Sequence, residues 1–307
     1  MKVLGEASPV LDRRDTLGEG PAYDASAQRL LWVDIVGPHV HELVSDGEGG
    51  WRAGRTWTMD APVGAVVPRR DGGLLVAVGR TFCVLDDDGS LTPVAQIDTG
   101  GAPARFNDCK CDPRGRLLAG WLVSDLSSPG QLCRLDPGGE VTTLLDDVGL
   151  SNGLDWSPDG ETFYFTDTPT YGIDAFDYDL ETGELSDRRR VVTIPRGEGN
   201  PDGMCVDDEG CLWTATIFSG QVRRYSPDGE LLGVIGTPAH QVSSCAFGGP
   251  DRDELFITTI GEQIPRAIPE GWGIAGEVID ASNANPSNGL LLSCRPGVTG
   301  PPATPFG

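Results

Sequence analysis

Three oxygen-bearing side chains in separate parts of the sequence could bind one metal ion together. Glu19, Asn152 and Asp202 each stand beside a glycine, in the segments Gly18-Glu19-Gly20-Pro21, Ser151-Asn152-Gly153-Leu154 and Pro201-Asp202-Gly203-Met204. Two carboxylates and one amide oxygen form a hard ligand set that suits Ca²⁺, Mg²⁺ or Mn²⁺ better than a thiophilic metal, with water or substrate completing the shell. Taken singly, each segment also reads as an ordinary turn or exposed loop. The metal-binding interpretation therefore depends on the fold bringing the three residues together.

Turn signals recur along the whole chain and separate segments of strand length. Aspartate or proline followed by glycine is typical of hairpins, as in Asp71-Gly72-Gly73, Asp112-Pro113-Arg114-Gly115 and Ser157-Pro158-Asp159-Gly160. Apolar or alternating runs flank these turns and read as hairpin-paired strands, for example Arg29–Asp34, Leu74–Val78 and Thr162–Asp167. No segment shows sustained helical periodicity, so we expect an all-β protein.

The hairpins repeat with a regular period. Aligning them by the segment that opens each unit places the starts near Gly20, Gly64, Asn107, Asn152, Asp202 and Ser244. A period of about 40 to 50 residues with four short strands per unit is typical of a propeller blade. We therefore predict a six-bladed β-propeller with four-stranded antiparallel blades, formed as a single domain by residues 1–307. A β-sandwich is the second interpretation, but it has no reason to repeat one hairpin order at one period.

Unusual polar residues recur at the start of the repeats. In a propeller the first strand of each blade lines the central channel, so residues that begin this strand converge on one mouth of the channel. Glu19, Asn152 and Asp202 occupy this position in three units, and the segment Arg105-Phe106-Asn107-Asp108 occupies it in another. Their agreement in repeat phase favours a shared site over four unrelated turns.

The same segments resemble the signature of the regucalcin and gluconolactonase family, which includes senescence marker protein and luciferin-regenerating enzyme. The matching segments follow in order from near residue 17 to near residue 260, and they are Leu17-Gly18-Glu19-Gly20-Pro21, Arg105-Phe106-Asn107-Asp108, Ser151-Asn152-Gly153-Leu154, Pro201-Asp202-Gly203 and Ser244-Cys245-Ala246-Phe247-Gly248-Gly249. The resemblance implies a six-bladed propeller that binds one divalent metal ion, Ca²⁺ first, with Zn²⁺, Mg²⁺ and Mn²⁺ as alternatives. It also implies hydrolysis of aldonolactones, and so a role in carbohydrate metabolism.

The resemblance assigns roles to individual residues. It implies that Glu19, Asn152 and Asp202 are the metal ligands and that Asp202 is also the general base. It implies that Arg105 and Asn107 contact the substrate. The third repeat departs from the family pattern Ala-Gly-Thr-Met, because here it reads Ala119-Gly120-Trp121-Leu122 and continues to Asp125. We expect an altered wall around the sugar, in which Trp121 stacks on the ring or blocks it and Asp125 is a candidate for the family's carboxylate.

A metal-dependent lactonase is the predicted enzyme. Water would attack a metal-polarised carbonyl, and the cation would neutralise the developing oxyanion without a covalent enzyme intermediate. Asp202 would accept the proton of this water, and Arg105 would hold hydroxyls or the growing carboxylate as a planar donor. Two alternatives stay open: a phosphotriesterase-like hydrolase that uses the same ion, and a calcium-binding or interaction propeller without turnover.

Histidine and cysteine offer weaker candidates for chemistry. With only three histidines, His39, His41 and His240, a Ser-His-Asp enzyme is not expected. His39 and His41 lie two apart and could be paired metal ligands, although a strand end near a turn is the favoured interpretation. The eight cysteines lack Cys-x-x-Cys spacing and read as free buried thiols, and Cys109 with Cys111 has no second pair to complete a zinc site.

Charge and hydropathy restrict the partners. The formal net charge is −23, from 46 acidic and 23 basic residues, which disfavours binding to nucleic acid or anionic lipid. The sequence has no apolar stretch long enough to span a membrane and no secretion leader, so we expect a cytoplasmic protein that acts on a small-molecule lactone. The sequence leaves the oligomeric state open.

Overall fold

The computed structural model describes residues 2–265, 270–271 and 273–307. Its strands form six sheets around a central channel, and strands that follow one another in the chain are mostly neighbours in a sheet. Each sheet is one blade, so the predicted six-bladed β-propeller is confirmed. The blades are four-stranded and antiparallel, except that one of them carries an additional parallel strand at its edge.

Two strands precede the blades, β1 (Val3–Glu6) and β2 (Ser8–Arg14). Blade 1 contains β3 (Gly18–Asp24), β4 (Arg29–Asp34), β5 (His39–Ser45) and β6 (Trp51–Thr58). Blade 2 contains β7 (Val63–Pro68), β8 (Leu74–Val78), β9 (Thr81–Leu85) and β10 (Leu91–Gln96). Blade 3 contains β11 (Ala104–Cys111), β12 (Leu117–Val123), β13 (Gly130–Leu135) and β14 (Val141–Val148).

Blade 4 contains β15 (Ser151–Trp156), β16 (Thr162–Asp167), β17 (Gly172–Tyr178) and β18 (Leu185–Thr193). Blade 5 contains β19 (Asn200–Val206), β20 (Leu212–Ile217), β21 (Gln221–Tyr225) and β22 (Leu231–Gly236). Blade 6 contains β23 (Val242–Gly248), β24 (Glu254–Thr259) and β25 (Leu290–Cys294). A 3₁₀ turn (Thr168–Thr170) follows β16, and the helix α1 (Gly276–Asn283) lies between β24 and β25.

Hydrophobic clusters between neighbouring blades form the core. The described residues include six such clusters, one at each junction of adjacent blades. Because each blade packs on both faces, its second strand does not need to alternate apolar with polar residues, and β8 and β12 consist wholly of buried residues. The first strand of each blade, here termed the inner strand, is therefore held from both sides.

The beginning of the chain closes the ring. β2 pairs antiparallel with β25 and supplies the outer strand of blade 6, while β1 runs parallel to β22 at the edge of blade 5. Blade 6 thus combines segments that are far apart in sequence. The repeats predicted six units, but this exchange was not predicted, because it depends on long-range pairing rather than on a local pattern.

A short helix departs from the expected all-β chain. α1 has eight residues, which is about two turns and too short to produce a clear hydrophobic periodicity. Its Ile279 is buried against Phe218 and Ile260, which follow β20 and β24. The helix therefore packs on blades 5 and 6 at the channel mouth where their inner strands begin.

The segment 298–307, here termed the closing segment, crosses the opposite end of the channel. A cavity of about 240 Å³ lies in the channel, and residues 301–304 form part of its lining. The segment makes backbone hydrogen bonds to five blades, namely Asp208 N to Thr299 O (2.9 Å), Gly300 N to Arg252 O (3.1 Å), Ala303 N to Tyr23 O (3.0 Å), Phe306 N to Pro68 O (2.8 Å) and Gly307 N to Gly115 O (3.0 Å). Its Phe306 ring is buried in the cluster between blades 2 and 3.

All eight cysteines are free, and seven of them are buried, as expected. No helix in the part of the chain that the structure describes has the length and hydrophobicity needed to cross a bilayer.

The closing segment should contribute to the stability of the ring through Phe306. Phe306→Ala should lower the free energy of unfolding by about 3 to 5 kcal/mol, because it removes a buried ring and leaves a cavity. Val3→Ala is the control, since Val3 is 61% exposed, and it should change stability by less than about 0.5 kcal/mol. Urea unfolding measures both. Equal small losses would mean that the segment is only loosely attached.

Candidate metal centre

Every inner strand contains one extra residue relative to its hydrogen-bonded partner. In blade 4, Ser151 lies opposite Asp167 and Leu154 lies opposite Phe165, so three steps along β15 face two steps along β16. The same one-residue shift occurs in the inner strands of the other five blades. Such β-bulges re-aim side chains and are common beside functional sites.

The bulges contain the residues that the repeats singled out. Asn107, Asn152 and Asp202 fall inside the bulges of blades 3, 4 and 5, and Glu19 begins the bulge of blade 1. All four are buried. Glu19 lies within electrostatic reach of Asp202, and Asn107 donates a hydrogen bond to Asn152, so the structure brings these side chains to one place at the channel mouth.

Glycines in the bulges allow the inner strands to approach each other closely. A Cβ atom on Gly153 would lie 2.5 Å from the backbone nitrogen of Met204 and 2.7 Å from the carbonyl oxygen of Asp202. A Cβ atom on Gly203 would lie 2.8 Å from the Cα atom of Ser244. Blades 4, 5 and 6 therefore meet at distances that only glycine permits.

Glu19 and Asp202 are buried carboxylates with perturbed proton affinity. Burial raises the pKa of Glu19 well above its ordinary value, and the charges of Asp202 and Asp108 raise it further. Burial also raises the pKa of Asp202 well above its ordinary value, with the charge of Asp108 as the next cause. Backbone N–H groups and the Arg105 guanidinium act in the opposite direction, but they do not outweigh burial.

Neither carboxylate has a cationic side chain as a direct partner in the part of the chain that the structure describes. Among the described residues, no arginine, lysine or histidine nitrogen lies within 4.0 Å of Glu19 or Asp202, and no side chain donates a hydrogen bond to either. The Glu19 carboxylate accepts a hydrogen bond from the backbone N–H of Gly20 at 2.9 Å. Two neighbouring buried negative charges are unfavourable unless protons or a cation neutralise them. This donor set fits a hard divalent cation.

A chain of hydrogen bonds orients the amide groups beside the carboxylates. The Arg105 guanidinium donates to Oδ1 of Asn107 at 2.7 Å, and Nδ2 of Asn107 donates to Oδ1 of Asn152 at 2.7 Å. Nδ2 of Asn152 donates at 2.7 Å to the hydroxyl of Thr168, which donates to the carbonyl of Pro201 at 2.8 Å. Since a guanidinium only donates and a carbonyl only accepts, the direction of every bond is determined. Oδ1 of Asn152 keeps a second lone pair for a cation.

A second polar layer lies deeper in the channel and was not predicted. Nζ of Lys110 bonds to Oδ2 of Asp155 at 2.9 Å and to the carbonyl of Met204 at 3.0 Å, so it joins the inner strands of blades 3, 4 and 5. Asp108 lines the cavity of about 240 Å³ in the channel, and burial raises its pKa to about 6. The sequence could have singled out Lys110, because Lys2 is its only other lysine. Thr168 carried no comparable signal.

The structure corrects the expectations for the altered wall of blade 3. The Trp121 ring is buried in the cluster between blades 2 and 3, where it packs with Phe82 and Phe106 and is not available to stack on a sugar. Asp125 is exposed, and its carboxylate accepts a hydrogen bond from the backbone N–H of Ser127 at 3.0 Å. Asp125 is thus engaged with its own loop.

The two neighbouring histidines lie on β5, away from the channel. Nε2 of His41 lies 3.2 Å from Oδ1 of Asp15, and Nδ1 of His41 bonds to the hydroxyl of Thr56 at 3.1 Å. His39 bonds through Nδ1 to the hydroxyl of Thr58 at 3.1 Å. These contacts favour the strand interpretation over paired metal ligands.

Ser151 has the sequence context of a serine nucleophile but not its structure. The pentapeptide from Gly149 to Gly153 has Gly-x-Ser-x-Gly spacing, which is typical of a nucleophilic serine. Ser151 lies on an inner strand rather than on a strand-to-helix turn, and it is fully buried. Among the described residues no side chain bonds to its hydroxyl, so no histidine activates it.

A different group of potential ligands lies in blade 5. Oxygen or sulfur atoms of Asp207, Glu209 and Cys211 lie within 4.8 Å of one another. Oδ2 of Asp207 already accepts hydrogen bonds from Trp213 Nε1 at 2.9 Å and from the Arg224 guanidinium at 2.6 and 2.9 Å. The arginine supplies the positive charge that a metal ion would supply, so this group reads as a structural ion pair.

Comparison with known proteins identifies the family. The model of the SMP-30/Gluconolactonase/LRE-like region matches residues 17–261, so the chain belongs to this family. Regucalcin of Oryctolagus cuniculus is 39% identical over 281 residues, which cover 86% of this chain and 91% of the relative. The resemblance read from the short segments is confirmed.

Two solved structures have similar folds. A calcium-binding protein, regucalcin, from Agrobacterium tumefaciens has a TM-score of 0.87 at 25% identity, covering 100% of both chains. A gluconolactonase from Xanthomonas campestris has a TM-score of 0.67 at 28% identity, covering 82% of this chain and 86% of the other.

The close approach of blades 4 and 5 should not tolerate a side chain at Gly153. Gly153→Ala should lower the free energy of unfolding by about 1 to 3 kcal/mol, because its methyl group would displace backbone atoms of the neighbouring inner strand. Gly138→Ala is the matched control, since a Cβ atom at Gly138 meets nothing within 4 Å. Urea unfolding measures both variants, and equal stabilities would contradict the close packing.

Asp202→Asn should stabilise the metal-free protein, and the gain should grow as pH rises above about 4. The folded-state pKa of Asp202 is raised above 3.8, so its contribution to wild-type stability is full below the unfolded pKa and is lost as pH rises through the folded pKa. Urea unfolding in metal-free buffer at several pH values measures the difference.

Asp125→Asn is the control for this pH series. A hydrogen bond from Ser127 lowers the pKa of Asp125, so this variant should gain no stability as pH rises. A gain from Asp202→Asn that is constant or shrinking with pH would contradict the account of the buried carboxylate.

Proposed function

We propose that this protein is a divalent-metal-dependent lactone hydrolase, with Ca²⁺ as the first candidate ion and aldonolactones as the substrate class. The observation that carries the proposal is the pair of buried carboxylates, Glu19 and Asp202, which lack a cationic side-chain partner among the described residues, together with the oriented amide of Asn152 on the inner strand next to that of Asp202. This all-oxygen set suits Ca²⁺, Mg²⁺ or Mn²⁺.

The names of the similar proteins support both parts of the proposal. The Xanthomonas protein is described as a gluconolactonase, and the Agrobacterium protein as a calcium-binding protein. The matched family model includes gluconolactonase in its description. We extend lactone hydrolysis, and with it a place in carbohydrate metabolism, to this chain.

A bound divalent cation would polarise the lactone carbonyl and stabilise negative charge on its oxygen. Asp202 would accept a proton from the attacking water and return it to the ring oxygen, which leaves as a hydroxyl group when the C–O bond of the ring breaks. Glu19, Asn152 and Asp202 would hold this ion. No serine nucleophile is needed for this reaction.

Arg105 and Asn107 would position the substrate. The Arg105 side chain is anchored by hydrogen bonds to the Phe106 carbonyl at 2.9 Å and to Oδ1 of Asn107 at 2.7 Å. Its remaining N–H groups can donate to ring hydroxyls or to the carboxylate that forms. Anchored donors reduce the entropy lost on binding, so they favour one orientation of the lactone.

We also propose the cytoplasm as the working compartment. The eight cysteines are free thiols, and free thiols persist in a reducing environment.

Lactone hydrolysis should require both the ion and Asp202. Wild-type protein should open gluconolactone with Ca²⁺ and stop when EDTA is added, and Asp202→Asn should reduce kcat by at least about 100-fold. Asp88→Asn, a change in an exposed turn, should leave the rate unchanged. Acid release at constant pH measures the rate. Turnover that persists in EDTA, or in Asp202→Asn, would contradict the proposal.

A calcium-binding protein without turnover is the second candidate, favoured by the name regucalcin among the relatives. Calorimetry with Ca²⁺ separates it from the first. Binding that Asp202→Asn abolishes, in a protein that hydrolyses no lactone, would support this candidate.

A further inference from the structure

A depression beside the candidate metal centre has a lining that the reaction above does not explain. It has a volume of about 440 Å³ and is formed where blades 2 and 3 meet at the channel mouth. Its lining residues are Pro62, Arg80, Gly101, Ala102, Pro103, Ala104, Arg105 and Ser124. The volume is within the range of about 300 to 1,000 Å³ that small-molecule sites occupy.

Two arginines lie on this wall, and the backbone fixes them next to each other. Arg80 belongs to the tight turn between β8 and β9, and Arg105 lies near the start of β11. The N–H of Phe106 donates to the carbonyl of Gly79 at 3.2 Å, so the residues directly adjacent to both arginines are hydrogen-bonded across the two blades. The N–H of Ile97 donates to the carbonyl of Arg80 at 3.0 Å and holds the turn from the other side.

No carboxylate in the described part of the chain neutralises the charge of Arg80. Its guanidinium donates to the hydroxyl of Thr99 at 3.1 Å, and no described carboxylate lies within 4.0 Å of it. Arg116, Arg134 and Arg224 each form an ion pair, whereas Arg80, like Arg69, forms none with the described residues. An arginine without an acidic partner in a chain of net charge −23 has its charge available to a ligand.

Arg105 differs from Arg80 because it faces acidic groups of the site. The carboxylates of Glu19, Glu262 and Asp202 lie within electrostatic reach of its guanidinium, although burial lowers its pKa. None of the residues that line the depression is acidic. The wall therefore carries two guanidinium groups and no carboxylate, and Arg80 is the one that the site leaves uncompensated.

We propose that Arg80 forms a subsite for a carboxylate on the substrate, so that the preferred lactones are those of sugar diacids rather than neutral aldonolactones. This inference rests on the proposed lactone hydrolysis. A guanidinium binds a carboxylate through two parallel hydrogen bonds, which adds specificity as well as affinity.

The acidic surface of the protein does not prevent binding of such a substrate. Charges farther away than about 8 Å are largely screened at physiological ionic strength. Arg80 and Arg105 act at hydrogen-bond distance inside the depression, where screening is weaker. The local charge of the wall therefore decides the selectivity.

The test compares two lactones in the same assay. With Ca²⁺ present, kcat/KM for the lactone of glucaric acid should exceed kcat/KM for gluconolactone by about tenfold or more, as expected for a hydrogen-bonded charge pair. Arg80→Met should lower this ratio about tenfold, mainly through KM for the diacid lactone. Arg80→Lys, which keeps the charge without the planar fork, should restore part of it.

Arg69→Met is the matched control, because Arg69 lies at the far end of blade 2 and its guanidinium bonds to the Gly72 carbonyl at 2.8 Å. It should leave the ratio unchanged. If wild type hydrolyses gluconolactone at least as well as the diacid lactone, or Arg80→Met leaves the ratio unchanged, the subsite is wrong while the proposed function stands. If wild type hydrolyses neither lactone, the proposed function itself fails.

Discussion

The burial of two neighbouring carboxylates, Glu19 and Asp202, is the constraint on which the rest of the site depends. In a region of low dielectric constant, two neighbouring negative charges are stable only when protons or a cation neutralise them. Burial therefore raises the pKa of both carboxylates. The bulges and glycines of the inner strands keep the pair in place despite this cost. The proposed cation would therefore enter a site whose ligands are already in place.

Two layers of polar contacts connect blade 4, which carries Asn152, with blade 5, which carries Asp202. The upper layer is the hydrogen-bond chain from Arg105 to the Pro201 carbonyl, and the lower layer is centred on Lys110. Both layers join blades 3, 4 and 5. Because each amide in the upper chain has its hydrogen-bond partners, the Asn152 side chain is already oriented. Less conformational entropy is therefore lost when a ligand binds.

Local patterns predicted the repeating parts of this structure well. Turn residues and strand-length runs are short-range signals, so the six blades and the common phase of Asn152 and Asp202 followed from them, whereas Glu19 lies one position earlier, at the start of its bulge. Pairing of β2 with β25 is long-range and leaves no local signal. Trp121 was ambiguous, because a large aromatic side chain suits a core as well as a binding wall, and only the packing between blades decides. Thr168 depends on a turn that no motif marks.

A crystal structure of the protein with Ca²⁺ tests the central claim most directly. The account predicts one strong density peak at the channel mouth, with carboxylate oxygens of Glu19 and Asp202 and Oδ1 of Asn152 at about 2.3 to 2.6 Å from it. A protein that shows no ion between these three side chains, or that binds Ca²⁺ elsewhere and leaves both carboxylates protonated, would contradict it.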